Sequence, residues 1–153
     1  AQIIDLIDLK GSLCTDIGSG SGLPGIVLAI IMKHKNSDMR FRLYEKSYHK
    51  SNFLKEVASK FSLNVEVLQK DIFNEKNLSS DIVVARAFKP LPIILNLIKG
   101  NFKFFNEVIL FLGKSGRKII EEVSVDWKIK YELKKSITNK DSIILKIKSL
   151  EKK

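Results

Sequence analysis

Asp16-Ile-Gly-Ser-Gly-Ser-Gly-Leu-Pro-Gly25 carries the strongest structural signal in the chain. The apolar segment Leu13–Ile17 runs directly into it, and the apolar stretch Leu23–Met32 follows it. Strand, glycine turn and helix in that order place the turn at the carboxyl edge of an open α/β sheet, where ligands bind. Gly18, Gly20 and Gly22 allow a tight turn and let a ligand approach with no Cβ in the way. Pro24 falls in the first turn of the helix, where a missing N–H costs nothing. Glu45 ends the next strand, 20 residues after Gly25, and is placed to bond a ribose diol. A glycine turn can serve chain reversal alone, but Asp16 before it and Glu45 after it favour a nucleoside ligand.

Outward from the loop, strands and helices alternate. Arg40–Glu45, Asn64–Leu68, Asp81–Ala85 and Val108–Leu112 read as further strands. Ser47 can cap a helix whose Phe53, Leu54, Val57, Ala58 and Phe61 share one face at helical spacing. Pro90–Ile98 and Lys114–Val123 read as two more helices, and Gln2–Leu9 is helix-like. Trp127–Leu133 and Ser142–Ile147 alternate apolar and polar residues, which predicts an antiparallel hairpin at the end. The expected architecture is a doubly wound α/β fold with a mostly parallel seven-stranded sheet, forming a single domain over residues 1–153.

Composition narrows the class. The chain has 153 residues, 44% hydrophobic and 29% charged, which suits one globular domain. Cys14 is the only cysteine, so an intramolecular disulfide and a cysteine-rich zinc site are excluded, and no metal is expected. No apolar run reaches the ~18 residues of a membrane span. The first residues have no basic region and two acids, unlike a signal peptide. A cytoplasmic, monomeric protein is therefore expected. It opens abruptly without a methionine, which suggests a missing N-terminal segment. The net charge is +10, from 27 Lys and Arg against 17 Asp and Glu. Residues 114–153 hold 12 basic and 6 acidic side chains, the denser share of that excess. A polyanion such as RNA is the simplest partner, with a lysine-rich solvated surface as the plainer account.

Two cofactors suit the loop. Gly20-Ser-Gly-Leu-Pro-Gly25 matches the dinucleotide pattern G-x-G-x-x-G. Asp16-x-Gly18-x-Gly20-x-Gly22 resembles the first motif of class I S-adenosylmethionine methyltransferases, and a dehydrogenase would leave no chain for substrate machinery. The Leu23-Pro24-Gly25 extension, Lys50-x-x-Phe53-Leu54 and Arg86-Ala87-Phe88 together resemble the GidB (RsmG) family of 16S ribosomal RNA guanine-N7 methyltransferases. The resemblance runs from Gln2 to about Ile147. It implies a Rossmann-like class I methyltransferase fold, S-adenosyl-L-methionine as cofactor, and 16S ribosomal RNA or the small ribosomal subunit as partner. That family carries a helical N-terminal extension that this sequence lacks, and the family's Lys-Gly near the fifth strand stands here as Gly113-Lys114.

The resemblance also assigns residues. Gly18 and Leu23 are expected at the methionine part of the cofactor. Asp71 and Ile72 are expected at the adenine, with Phe73 as an alternative to Asp71 and an N-cap as the plainer role for Asp71. Arg86 follows an apolar strand at the rim and is a candidate to orient the substrate or the cofactor carboxylate, because burying it unpaired would be costly. Phe88 walls the pocket, stacks on a base or packs in the core. Cys14 reads as a small core hydrophobe, and His34 and His49 as exposed. Lys46, Lys50, Lys114, Arg117 and Lys118 are candidate phosphate contacts. Guanine N7 already presents a lone pair, so an absent general base fits the chemistry. Other readings are methyl transfer to a small molecule or protein, and a nucleotide-binding module without catalysis.

Overall fold

The computed structural model describes residues 2–8 and 10–153. Its strands are β1 (Leu13–Ile17), β2 (Arg40–Tyr44), β3 (Val65–Leu68), β4 (Leu78–Arg86), β5 (Phe102–Leu112), β6 (Trp127–Lys135) and β7 (Ile143–Lys152). They form one sheet in the order β3-β2-β1-β4-β5-β7-β6. The first five in that order are parallel to one another, and β7 runs antiparallel to both β5 and β6. The helices are α1 (Gly25–His34), α2 (Tyr48–Lys60), α3 (Leu91–Asn101) and α4 (Gly116–Val123). This is the mixed, doubly wound sheet that the alternation predicts. Among the described residues no helix is long and apolar enough to cross a membrane.

Side-chain alternation divides the core between the two faces of the sheet. On β4, Ile82 and Val84 pack with Leu28 and Met32 of α1 and Leu54 of α2. Val83 and Ala85 point the other way, onto Leu91, Ile94 and Leu95 of α3 and Ile120 of α4. A strand buried on both faces needs an unbroken apolar run, which Ile82-Val-Val-Ala85 supplies. Truncating a fully buried leucine here, such as Leu95, costs about 2–5 kcal/mol.

Several elements depart from the sequence reading. The segment Gln2–Leu9 does not form the expected helix. It shows one 3-10 turn over Ile4–Leu6, and Leu9 lies outside the described residues. Tertiary bonds hold it there: Lys146 Nζ donates to the Leu6 carbonyl and the Asp8 N–H to Glu107 Oε1. Both β4 and β5 begin earlier than their apolar runs. Parallel pairing from Leu78↔Phe102 onward holds polar residues in the ladder, and the Asp81 carboxylate accepts from the Ser12 and Leu13 N–H groups to pin β1 beside β4. Pro24 sits at the N-cap of α1, one position before the helix. Ser47 caps α2 as expected, its hydroxyl accepting from the Lys50 N–H. On α2, however, the buried residues are Ser51, Leu54 and Ala58, while Phe53 and Phe61 are about half exposed.

Candidate active site

The strand order reverses between β1 and β4, so the loops after these strands diverge and leave a crevice at their carboxyl ends. A cavity of about 550 Å³ opens there, lined by the glycine loop, the end of β2, residues 70–73 and residues 86–89. Gly18, Gly20 and Gly22 all take positive φ, at 69°, 55° and 89°. Gly18 and Gly20 line the cavity. The Gly18 and Ser19 N–H groups donate to the Tyr44 carbonyl, which ties the loop to the end of β2.

Glu45 is buried and held at both oxygens: Oε2 accepts from the Gly20 N–H at 2.9 Å, and Oε1 from the Ser47 N–H at 2.8 Å. Each oxygen keeps a further lone pair for a hydroxyl donor. A carboxylate fixed in this way at the end of β2, beside the bare backbone of Gly20, fits a ribose diol. Asp71 lines the same cavity and caps the 3-10 turn Ile72–Asn74, its Oδ1 accepting from the Phe73 N–H at 3.1 Å. Both its plainer role and its place in the cavity are therefore real. Lys46 approaches Asp71 Oδ2 at 3.9 Å.

Phe88 is the central wall. Its ring stacks on Phe73 with centroids 5.9 Å apart, and a Cβ at position 18 would fall 2.0 Å from Phe88 Cδ2. Gly18 is thus required by the ring as well as by its φ. On the far side of Phe88 a second cavity of about 330 Å³ opens between the ends of β4 and β5. The β4–β5 ladder ends at Arg86↔Phe111, and the chains part beyond it. Pro90, Leu91, Ile94, Leu112, Gly113 and Ile119 contribute to its lining. Ala87, Phe88 and Lys89 belong to both cavities. Ala87 takes φ 49°, a left-handed conformation costly for a residue with a Cβ. The strain lies where β4 turns outward to insert Phe88 between the two spaces.

Below the loop, Asp16 is fully buried on β1. Its Oδ2 accepts from the Gly25 N–H at 2.9 Å, anchoring the start of α1, while Oδ1 has no partner. Burial pushes its carboxyl up to about 7, against the opposing pull of the Gly25 N–H. Cys14, two residues earlier, is buried among apolar side chains, and burial raises its thiol. That matches its reading as a core hydrophobe.

The structure sorts the remaining candidates. Leu23, Ile72, Phe73, Arg86, Lys46 and Lys50 all line the first cavity. Arg86 is exposed and stands at the rim, where its place after β4 was expected to put it, in no ion pair among the described residues. Gly22 stands between the lining residues Ser21 and Leu23, and its missing Cβ makes room for Ile26 and Leu54. Lys114, Arg117 and Lys118 are exposed beyond β5, outside both linings, and Lys118 approaches Glu122 at 3.8 Å. His34 and His49 are exposed as expected. Sequence reasoning missed Asn101. Its buried amide donates to the carbonyls of Phe73 at 3.1 Å and Glu75 at 2.6 Å, holding the turn that walls the first cavity. An asparagine closing an apolar helix was the only sign of it.

The group that such a cavity suits has a ribose, a flat base and an amino-acid tail. Glu45 offers fixed acceptors there, Phe73 and Ile72 an apolar wall, and Gly18 and Gly20 bare backbone. This site on this sheet is that of a class I S-adenosylmethionine-dependent methyltransferase, and two solved methyltransferases share the fold. One is TrmK of M. capricolum, solved with S-adenosylhomocysteine: TM-score 0.66, 18% identity, 96% of this chain and 66% of that one. The other is a SAM-dependent methyltransferase from Aquifex aeolicus: TM-score 0.68, 15% identity, 97% and 87%. The chain belongs to the GidB family, rRNA small subunit methyltransferase G, whose model matches residues 1–147. The ribosomal RNA small subunit methyltransferase G of Pelagibacter ubique is 48% identical over 153 residues, all of this chain and 72% of that protein.

Proposed function

We propose that this chain moves the methyl group of S-adenosylmethionine to N7 of a guanine in 16S ribosomal RNA. The observation that carries the reading is the meeting of two cavities at Phe88, one suited to a nucleoside cofactor and one to the flat faces of a base. When bound, S-adenosylmethionine supplies an electrophilic methyl on a sulfonium. N7 already holds an in-plane lone pair and would accept the methyl with no proton to remove. The two carboxylates lining the first cavity, Glu45 and Asp71, are each committed to backbone N–H groups, which suits chemistry without a general base.

The chain's own contribution is then alignment. Gly18, Gly20 and Leu23 receive the methionine part, Glu45 the ribose, and Asp71, Ile72 and Phe73 the adenine. Phe88 borders both spaces, and the target guanine, extruded from its stack, enters between β4 and β5 past the edge of that ring so that N7 can face the methyl. Arg86 at the rim orients the substrate or the cofactor carboxylate. Lys46, Lys50, Lys114, Arg117 and Lys118 contact phosphates, which position without specifying. The reading includes a single domain acting as a monomer in the cytoplasm.

The test is transfer of labelled methyl to 16S RNA or small subunits, with the product located by mass spectrometry. The wild type is expected to give N7-methylguanine. Arg86→Ala should lower transfer tenfold or more with an unchanged melting temperature, because no buried contact is lost. Label appearing in protein or small molecules but not in RNA would overturn the reading.

A further inference from the structure

We infer that the outward side of α2 is a docking track for single-stranded RNA that leads to the cofactor cavity. Tyr48 is 60% exposed and Phe53 51%, so the fold leaves the apolar surface of both rings unused. The strip between them is continuous. The Tyr48 and His49 rings meet edge to face with centroids 5.5 Å apart. His49 and Phe53 are neighbours four apart on the helix, and Lys50 and Phe53 three apart. Lys50 lines the cavity, as does the exposed Leu23 of the glycine loop. Rings therefore follow one another along the helix surface and end at the mouth of the site.

The charge around the strip selects the partner. Residues 46–60 hold four lysines and a single acid, Glu56. Lys50, Lys55 and Lys60 form no ion pair among the described residues. Exposed rings interleaved with unpaired cations are what bases and phosphates of an unpaired strand use, by stacking on the first and neutralising the second. A duplex keeps its bases stacked on one another and cannot use the rings. The inference rests on the RNA methyltransferase reading and adds where the strand lies.

Fluorescence anisotropy of a labelled single-stranded oligoribonucleotide, measured over a series of salt concentrations, separates the two kinds of contact. Phe53→Ala and Tyr48→Ala should each weaken binding roughly 5- to 150-fold with the salt slope unchanged. Lys50→Gln should lower the slope by about 0.7. Phe53→Trp should restore binding. The control is Phe104→Ala, since Phe104 is 49% exposed on the far half of β5 and should have no effect. Wild-type affinity in Phe53→Ala, an equal loss in Phe104→Ala, or equal competition by duplex RNA would overturn the track. Ring-dependent RNA binding without methyl transfer would sustain the track and sink the enzymatic reading. Methyl transfer to RNA that ignores the rings would do the reverse.

Discussion

The two cavities that share Phe88 are built by opposite means. The first owes its polar side to main chain: Gly18 and Gly20 at positive φ, and a carboxylate that takes its bonds from backbone N–H groups. The second is made of side chains from two distant stretches, 85–94 and 110–119, and Lys89 is the only charged residue in its lining. Directional donors and acceptors suit the polar edges of a nucleoside, whereas apolar walls suit the faces of a base. One space can therefore select a cofactor and the other receive a flat group, with a single ring keeping them in register.

The largest expected effect comes from the residue that both spaces depend on. Gly18→Val combines a φ of 69° with a Cβ 2.0 Å from the Phe88 ring, so the ring must leave its place. Binding of S-adenosylhomocysteine should fall below detection by calorimetry, methyl transfer should vanish, and the melting temperature should drop. Gly20→Val is the comparison. The nearest atom to its Cβ is the Gly18 carbonyl oxygen at 3.8 Å, so it carries only the left-handed backbone cost of about 1–2 kcal/mol. It should lose cofactor affinity with a smaller loss of stability. Retained cofactor binding in Gly18→Val would break the picture of a shared wall.

Filling the second cavity alone should be the next largest. Gly113 belongs to the second cavity's lining and a Cβ there meets nothing within 4 Å, so Gly113→Trp places a large ring at that cavity without a backbone clash. Methyl transfer should fall tenfold or more while S-adenosylhomocysteine binding stays at the wild-type level. Gly100→Trp, equally unobstructed on α3, should change neither. If Gly113→Trp lost cofactor binding as well, the two cavities would be one site, and the division of labour would be wrong.

The same contrast explains what could be read from the sequence. The glycine loop and the Ser47 cap are local devices, each set by residues a few positions apart, and Glu45 stands at the end of β2, where the spacing from the loop across one strand–helix–strand unit puts it. The second cavity, Asn101 and the early starts of β4 and β5 depend on segments far apart in the chain, which leave no local pattern. Periodicity failed on α2 because the buried stripe is narrow, and Phe53 falls outside it. Charge was only half legible. Lys128, Lys130 and Lys135 lie on β6, the edge strand, where lysines block pairing with another sheet edge. That share of the C-terminal excess is a feature of the sheet, whereas Arg117 and Lys118 follow β5 on the side where the cavities open.

The smallest effect isolates the buried carboxylate beneath the glycine loop from the wall above it. Asp16 rises from the usual carboxylate value of 3.8 to about 7, chiefly because burial penalises its charge, with Glu45 adding to the rise. Between these two values the folded chain keeps a proton that the unfolded chain has released. Stability must therefore fall as pH rises from about 4 to about 7, and level off above. Asp81 and Glu132 act the other way and elsewhere: their values are lowered, Asp81 by bonds from Ser12 and Leu13 that outweigh its desolvation and Glu132 by Lys148. Their contribution is present above the unfolded values and is lost only in more acidic solution. The stretch from about pH 5 to 7 is thus where Asp16 is read. Urea unfolding across that range should show the decline in the wild type, and Asp16→Asn, which keeps an acceptor for the Gly25 N–H but cannot ionise, should flatten it. An equal slope in the two proteins would mean that Asp16 is already ionised in the folded chain, with a cation or water reaching Oδ1, and that the space beneath the glycine loop is wetter than its burial implies.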